Sequence, residues 1–217
     1  MKSEKEIIEE VSHFVEEAVK HHDSGHGWSH IERVRRLALH IHEREGRGNR
    51  EIIELGALMH DVGDHKFSIH AGPAEIRKLL AGLGVDAGVI EEVVLINEEI
   101  SFSKGKRPAP EKIELQIVQD ADRLDAMGAV GIARAFSYGG LRGREIYDPR
   151  EKILNPPLLP GTSSHSASTV HHFYDKLLML KNLMNTPTGR ELARERHDFM
   201  LSYLDQFFRE WNAEGDM

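Results

Sequence analysis

The stretch Leu55-Gly-Ala-Leu-Met-His-Asp-Val-Gly-Asp-His65 limits what this chain can fold into more than any other. An apolar run with helical spacing ends in adjacent His60 and Asp61, and Gly63, Asp64 and His65 follow at once. An imidazole and a carboxylate at the inner end of a buried helix are costly unless something pairs with them or coordinates them. A divalent cation does both. The rest of the chain is therefore read for the missing ligands.

Composition narrows the field. The chain has 217 residues, 40% hydrophobic and 29% charged, enough for one globular domain with a sizeable core. The net charge of −8 argues against general attraction to a nucleic-acid polymer or an anionic membrane. The absence of cysteine excludes disulfides, thiolate catalysis and a thiolate zinc site. No apolar run approaches the ~18 residues of a membrane span. The first residues, Met1-Lys-Ser-Glu-Lys-Glu, lead into an acidic amphipathic segment rather than a signal peptide. The expectation is a soluble cytoplasmic protein. The 14 histidines carry weight only one position at a time.

Helical periodicity runs through the chain. Ile7, Ile8, Val11, Phe14, Val15 and Ala18 predict a first helix over 3–20. Ser29 is a candidate cap for a second helix reaching Glu45, on which His30, Val34, Leu37, Ala38 and Ile41 share one side. Asn49 caps a third, in which Gly56 lies one turn before His60 and leaves room for a neighbouring helix. A fourth runs from Ala71 to Ala81, with Pro73 in its first turn and Gly82 and Gly84 as stops. Asp86 opens a fifth, Val89 to Ile100, followed by a basic Gly- and Pro-containing loop. Pro110 starts a sixth, which carries Asp120, Asp122 and Asp125. A short helix from Ala129 to Tyr138 follows, then an irregular stretch over 139–167. Helices over Thr169–Met184 and Thr188–Trp211 close the chain. No segment alternates with period two. The fold expected is all-α, a bundle of eight to ten helices.

The inward-facing candidates are His30, His60, Asp61 and one aspartate of the sixth helix. Helical phase does not choose among Asp120, Asp122 and Asp125. Two imidazoles and two carboxylates suit Mn²⁺, Fe, Co, Ni or Zn, and Mg²⁺ less well. Four protein ligands leave positions on a six-coordinate ion for water or a phosphate oxygen, the layout of metal-assisted hydrolysis. Taken alone, His30 reads equally as a core histidine, and an Asp122–Arg123 ion pair is the competing reading of that aspartate.

On His30 in His-Ile-Glu-Arg-Val, His60-Asp61 in Leu-Met-His-Asp-Val-Gly-Asp, and Ala121-Asp-Arg-Leu124, the chain resembles the HD-domain superfamily of metal-dependent phosphohydrolases. Gly25-His-Gly-Trp-Ser-His30, Ser101-Phe-Ser-Lys-Gly105, Gln119-Asp-Ala-Asp-Arg-Leu-Asp-Ala126 and His172-Phe-Tyr-Asp-Lys176 look like the small standalone bacterial and archaeal members. The resemblance implies a helical bundle, read here as a single domain over 1–217 with its metal-binding core over about 26–138 and a helical extension over about 168–212. It implies a metal held by His30, His60, Asp61 and, by the place of the Ala-Asp-Arg-Leu motif, Asp122. The stretch Leu95-Ile-Asn-Glu-Glu-Ile100 lacks the histidines with which some members hold a second ion, which argues for one, with Mn²⁺ favoured.

Asp64, past the metal pair, is a candidate to orient water or move a proton, or else a loop cap; His65 beside it is a second catalytic candidate or a solvated turn residue. Arg33, Lys104, Arg123 and Lys176 are candidate phosphate clamps, while Lys106 and Arg107 read as a solvated face. His13, His21, His22, His40, His42 and His197 read as surface residues. The substrate class implied by the resemblance is a phosphorylated small molecule, a nucleotide first of all, with a nucleoside triphosphate cut to monophosphate and pyrophosphate. The alternatives are a nucleotide phosphomonoesterase, a cyclic-nucleotide phosphodiesterase or a non-catalytic nucleotide sensor. Phe207, Phe208 and Trp211 read as core or as a homodimer contact.

Overall fold

The computed structural model describes residues 2–20, 27–63, 72–100, 110–151 and 168–214. Within them the chain is helical, and the one β feature is an isolated bridge between Glu145 and Ser168. The helices are α1 Glu4–Val19, α2 Trp28–Glu45, α3 Arg50–Met59, α4 Pro73–Leu83, α5 Ala87–Glu99, α6 Ile113–Asp125, α7 Gly128–Leu141, α8 Thr169–Asp175 and α9 Pro187–Trp211, with a 3₁₀ segment, Leu177–Leu183, before the last. The all-α expectation holds. Among the described residues no helix is long and apolar enough to cross a membrane.

Local chemistry sets most boundaries. Ser3 and Glu6 form a reciprocal capping box that opens α1. Asn49 accepts from the Glu51 and Ile52 N–H groups to start α3, and Asp86 does the same for Gly88 and Val89 at α5. The cap of α2 is Gly27, not Ser29: the Gly27 carbonyl accepts from the His30 N–H at 2.9 Å, and Ser29 already lies inside the first turn. Gly82 does not stop α4. Gly84 does, at φ +84, a left-handed geometry that glycine adopts without a Cβ penalty. α6 begins at Ile113 rather than Pro110, and α7 continues past Tyr138 to Leu141.

The helix expected over 169–184 divides at Lys176, whose φ and ψ (−139°, −57°) leave the helical region. The chain continues as a 3₁₀ segment. Its three-residue turn stacks positions i and i+3, and the buried pair in it is Leu177 and Leu180.

The chain forms two compact units, Met1–Asp122 and Arg123–Met217. In the first, α3 packs against α1, α2 and α5, and α4 packs against α5. Every residue from Ile52 to Met59 is buried, and all of them but Glu54 are apolar, as expected of a helix packed on several sides. Gly56 makes the α5 packing possible: a Cβ there would stand 2.6 Å from Ile96 Cδ1. Ile8, Val11, Val15, Leu58, Ile76 and Leu80 belong to the hydrophobic cluster around it. In the second unit α9 packs against α7 and the 3₁₀ segment. Phe136, Phe173 and Tyr203 meet there at ring separations of 5.9 to 6.2 Å. Tyr147 stands edge-on to Phe207, Phe208 and Trp211, so Phe207 and Phe208 pack inside the unit while Trp211 keeps 48% of its surface exposed.

Candidate metal centre

Three helices of the first unit bring four acceptor side chains together. His30 comes from the first turn of α2, His60 is the residue that ends α3, Asp61 follows it, and Asp122 lies in α6. Both imidazoles are buried, at 1% and 2% exposure. Their rings stand edge to face, 5.3 Å apart between centroids. His30 Nε2 lies 3.5 Å from Asp61 Oδ2 and 3.6 Å from Asp122 Oδ1. His60 Nε2 lies 3.6 Å and 3.9 Å from the same two oxygens. Ligand atoms of His30, His60 and Asp122 all fall within 4.8 Å of one another.

The orientation of His60 decides what this cluster can do. Its Nδ1 lies 2.8 Å from the carbonyl of Ala57, one turn back in α3. A carbonyl only accepts, so Nδ1 carries the proton. In the neutral ring Nε2 then presents a lone pair to the carboxylates of Asp61 and Asp122, and it has no hydrogen-bond partner among the described residues. At 3.6 and 3.9 Å these contacts are too long for hydrogen bonds. They match the spacing around a shared cation, because ligand atoms about 2 Å from one ion lie about 3–4 Å from each other. The donor set, two imidazoles and two carboxylates, fits a divalent metal of the Mn, Fe, Co, Ni and Zn group.

The other sequence candidates are placed as follows. Asp122 stands beside both imidazoles, whereas Asp125 is buried and ion-paired to Arg134 at 2.5 Å. Asp120 is fully buried. Arg33 is half-buried, one turn after His30. Arg123 donates from Nη1 to the Leu183 carbonyl, which takes part of its fork. Lys176 is exposed at the end of α8. Asp64, His65, Lys104, Lys106, Arg107, His21, His22 and His26 lie outside the described residues. His197 is buried rather than on the surface: α9 turns it inward, and burial, with the nearby Lys181 charge, holds its pKa below the usual range.

Sequence reasoning passed over two amides and one acid. Asn97 Nδ2 reaches the carbonyls of Met59 (2.8 Å), His60 (3.2 Å) and Val62 (2.8 Å). Gln119 Nε2 donates to the Glu99 carbonyl at 3.1 Å. Glu54, 2% exposed, accepts from Arg35 and Arg50. A signal existed for Asn97: it continues the line Ile90, Val93, Val94 on the buried side of α5, where an amide needs a partner.

Comparison with known proteins supplies a family and solved relatives. The HD domain family matches residues 27–127. YpgQ of Bacillus subtilis, an uncharacterized protein, is 39% identical over 202 residues, spanning 91% of this chain and 90% of its own. A crystal structure of an HD-superfamily hydrolase from Bacillus thuringiensis superposes with a TM-score of 0.78 at 41% identity, covering 97% of this chain and all of that one (100%). Bacillus subtilis YpgQ, solved in complex with ADP, superposes with a TM-score of 0.75 at 37% identity, covering 94% of this chain and 97% of its own.

Proposed function

Since this chain belongs to the HD domain family, we propose that it is a divalent-metal-dependent phosphohydrolase acting on a nucleotide, with nucleoside triphosphates cut to monophosphate and pyrophosphate. One observation carries the reading: the lone pair of His60 Nε2 faces the carboxylates of Asp61 and Asp122 at 3.6 and 3.9 Å. Acceptors buried against acceptors are repulsive unless a cation stands among them. The solved complex of Bacillus subtilis YpgQ with ADP supports a nucleotide as the ligand class.

His30, His60, Asp61 and Asp122 would hold the ion, with Mn²⁺ the favoured metal. A divalent cation bound there supplies Lewis-acid polarisation of a phosphoryl oxygen and acidifies water at neutral pH. The protein residues do the rest. The Ala57 carbonyl orients the His60 ring by accepting a hydrogen bond from Nδ1–H, which turns Nε2 toward Asp61 and Asp122. Arg33, one turn from His30, is a candidate to offset charge on the substrate phosphates. Asp64 is the candidate to take up the proton from water.

The test is turnover of a nucleotide panel by pure protein in Mn²⁺, with products identified. Monophosphate with pyrophosphate is the expected pair, and a His60→Ala, Asp61→Ala double variant is expected to lose it. Release of free phosphate instead would reassign the bond cleaved. No turnover of any phosphorylated compound would remove the enzyme reading.

A further inference from the structure

The metal centre needs α3 and α6 to meet at a fixed separation, yet α5, which packs against α3 and accepts a hydrogen bond from Gln119 of α6, carries none of its ligands. α5 approaches α3 closely at Gly56, against Ile96. One residue further, the Asn97 amide reaches the carbonyls of Met59, His60 and Val62. The last carbonyls of a helix have no partner inside it, and these belong to the very turn that presents His60 and Asp61. At the end of α5 the same arrangement recurs. The Glu99 carbonyl, also a helix-end group, accepts from Gln119 of α6, one turn before Asp122.

We propose that Asn97 and Gln119 are positioning residues: two primary amides in series, linked by the end of α5, that hold the His60-Asp61 turn and Asp122 at metal-binding separation. An amide suits both places. It donates without charge, so it can bind carbonyls in a half-buried site without adding to the charge near the cluster. An Asn NH₂ has two protons for three carbonyls, so the contact fixes the turn rather than one atom of it. The links run through backbone, which side-chain packing alone does not lock in rotation. The proposal rests on the metal reading of the cluster.

The test is calorimetric titration of Mn²⁺ into metal-free protein well below the unfolding temperature. Its set is wild type, Asn97→Ala, Gln119→Met, the double variant and a control, Leu80→Ala. Leu80 is a fully buried residue of α4, and its truncation lowers stability without touching either amide link. Each amide variant is expected to weaken Mn²⁺ binding by about tenfold or more, the scale of losses seen when groups that orient ligands are removed. The double variant is expected to lose no more than about the larger single loss, since cutting either link frees the same two elements. Leu80→Ala is expected to keep wild-type affinity although its urea midpoint falls. Should Asn97→Ala not fold, Gln119→Met reads the other link of the same chain. Amide variants that bind Mn²⁺ like the control would overturn the positioning role and leave the metal reading intact. A wild-type protein that takes up no Mn²⁺ would overturn both.

Discussion

Two polar clusters are built on buried side chains of one stretch, Glu54 within α3 and His60 just past its end, and they are completed in opposite ways. Glu54 accepts from Arg35 Nε at 2.9 Å on one oxygen and from Arg50 Nη1 at 2.7 Å on the other. Burial works against the Arg35 charge, yet the Glu54 hydrogen bonds and charge outweigh it and hold the guanidinium pKa above its ordinary value. This cluster is complete within the protein, and it ties α2 to α3. At the end of the same helix, His60 and His30 meet Asp61 and Asp122 at 3.5 to 3.9 Å, and the Nε2 lone pair of His60 faces both carboxylates. A buried charge with its own donors is part of the frame. Buried acceptors that converge on one another describe a place for a cation.

The largest expected effect tests the first half of that contrast. Glu54→Ala removes the carboxylate that both Arg35 and Arg50 donate to, and leaves Arg35, with only 25% of its side chain exposed, with Glu32 at 3.3 Å as its remaining partner. Breaking one side of such a pair costs about 3–4 kcal/mol, so the urea midpoint should fall steeply. Mn²⁺ affinity, measured on the protein that remains folded, should stay within about threefold of wild type. A variant that kept its stability but lost the metal would erase the distinction between the two clusters.

The second half is tested by adding the ion. A ligand at a hundred times its dissociation constant stabilises the folded state by about 2.7 kcal/mol. At that concentration Mn²⁺ should raise the unfolding free energy of wild type by about 2.7 kcal/mol and leave that of His60→Ala where it was, and chelation should reverse the shift. An equal rise in the variant would place the ion elsewhere.

The contrast also explains what the sequence could say. His30 and His60 were legible because each is a strong polar group on a buried helical line, Asp61 because it adjoins His60, and Gly56 because a missing side chain announces close packing. Glu54 was not, because its partners, Arg35 and Arg50, read as ordinary surface cations until the helices are laid side by side. Asn97 and Gln119 escaped for the same reason: what they bind is another helix's backbone, which leaves no mark in side-chain type. Choosing Asp122 over Asp120 and Asp125 needed the motif, since all three lie near one edge of α6. The break at Lys176 was hidden because an unbroken helix and a 3₁₀ turn use the same leucines there.

His172, in the second unit, extends the comparison to a half-buried base. Burial, then the Lys176 and Arg144 charges, depress its pKa from 6.5 to about 4. The folded state thus holds the neutral ring where the unfolded chain would protonate it. Stability is full above about pH 6.5, falls as pH drops toward 4 because the unfolded state binds the extra proton, and levels off below. The slope is about 1.4 kcal/mol per pH unit at most. Urea titrations between pH 7 and 4 should show it in wild type and show it reduced in His172→Phe. An unchanged slope would assign the pH response to other groups.

The smallest effect is the most discriminating, because its sign opposes intuition. In metal-free protein Asp122 contributes a negative charge 3.6 Å from His30 Nε2 and 3.9 Å from His60 Nε2. Asp122→Asn keeps the shape, removes the charge and offers an N–H to a ring nitrogen. With 37% of the Asp122 side chain exposed, solvent screens much of the repulsion, and the gain should be about 0.5 kcal/mol. The same isosteric change at Glu54, Glu54→Gln, removes the buried charge that two arginines share and should cost about 1–2 kcal/mol. Chelated urea melts of the two variants therefore move in opposite directions if one cluster is frame and the other is a ligand shell for a cation. A loss at Asp122→Asn matching that at Glu54→Gln would mean that the carboxylate already has its donors, and that no cation is needed to explain it.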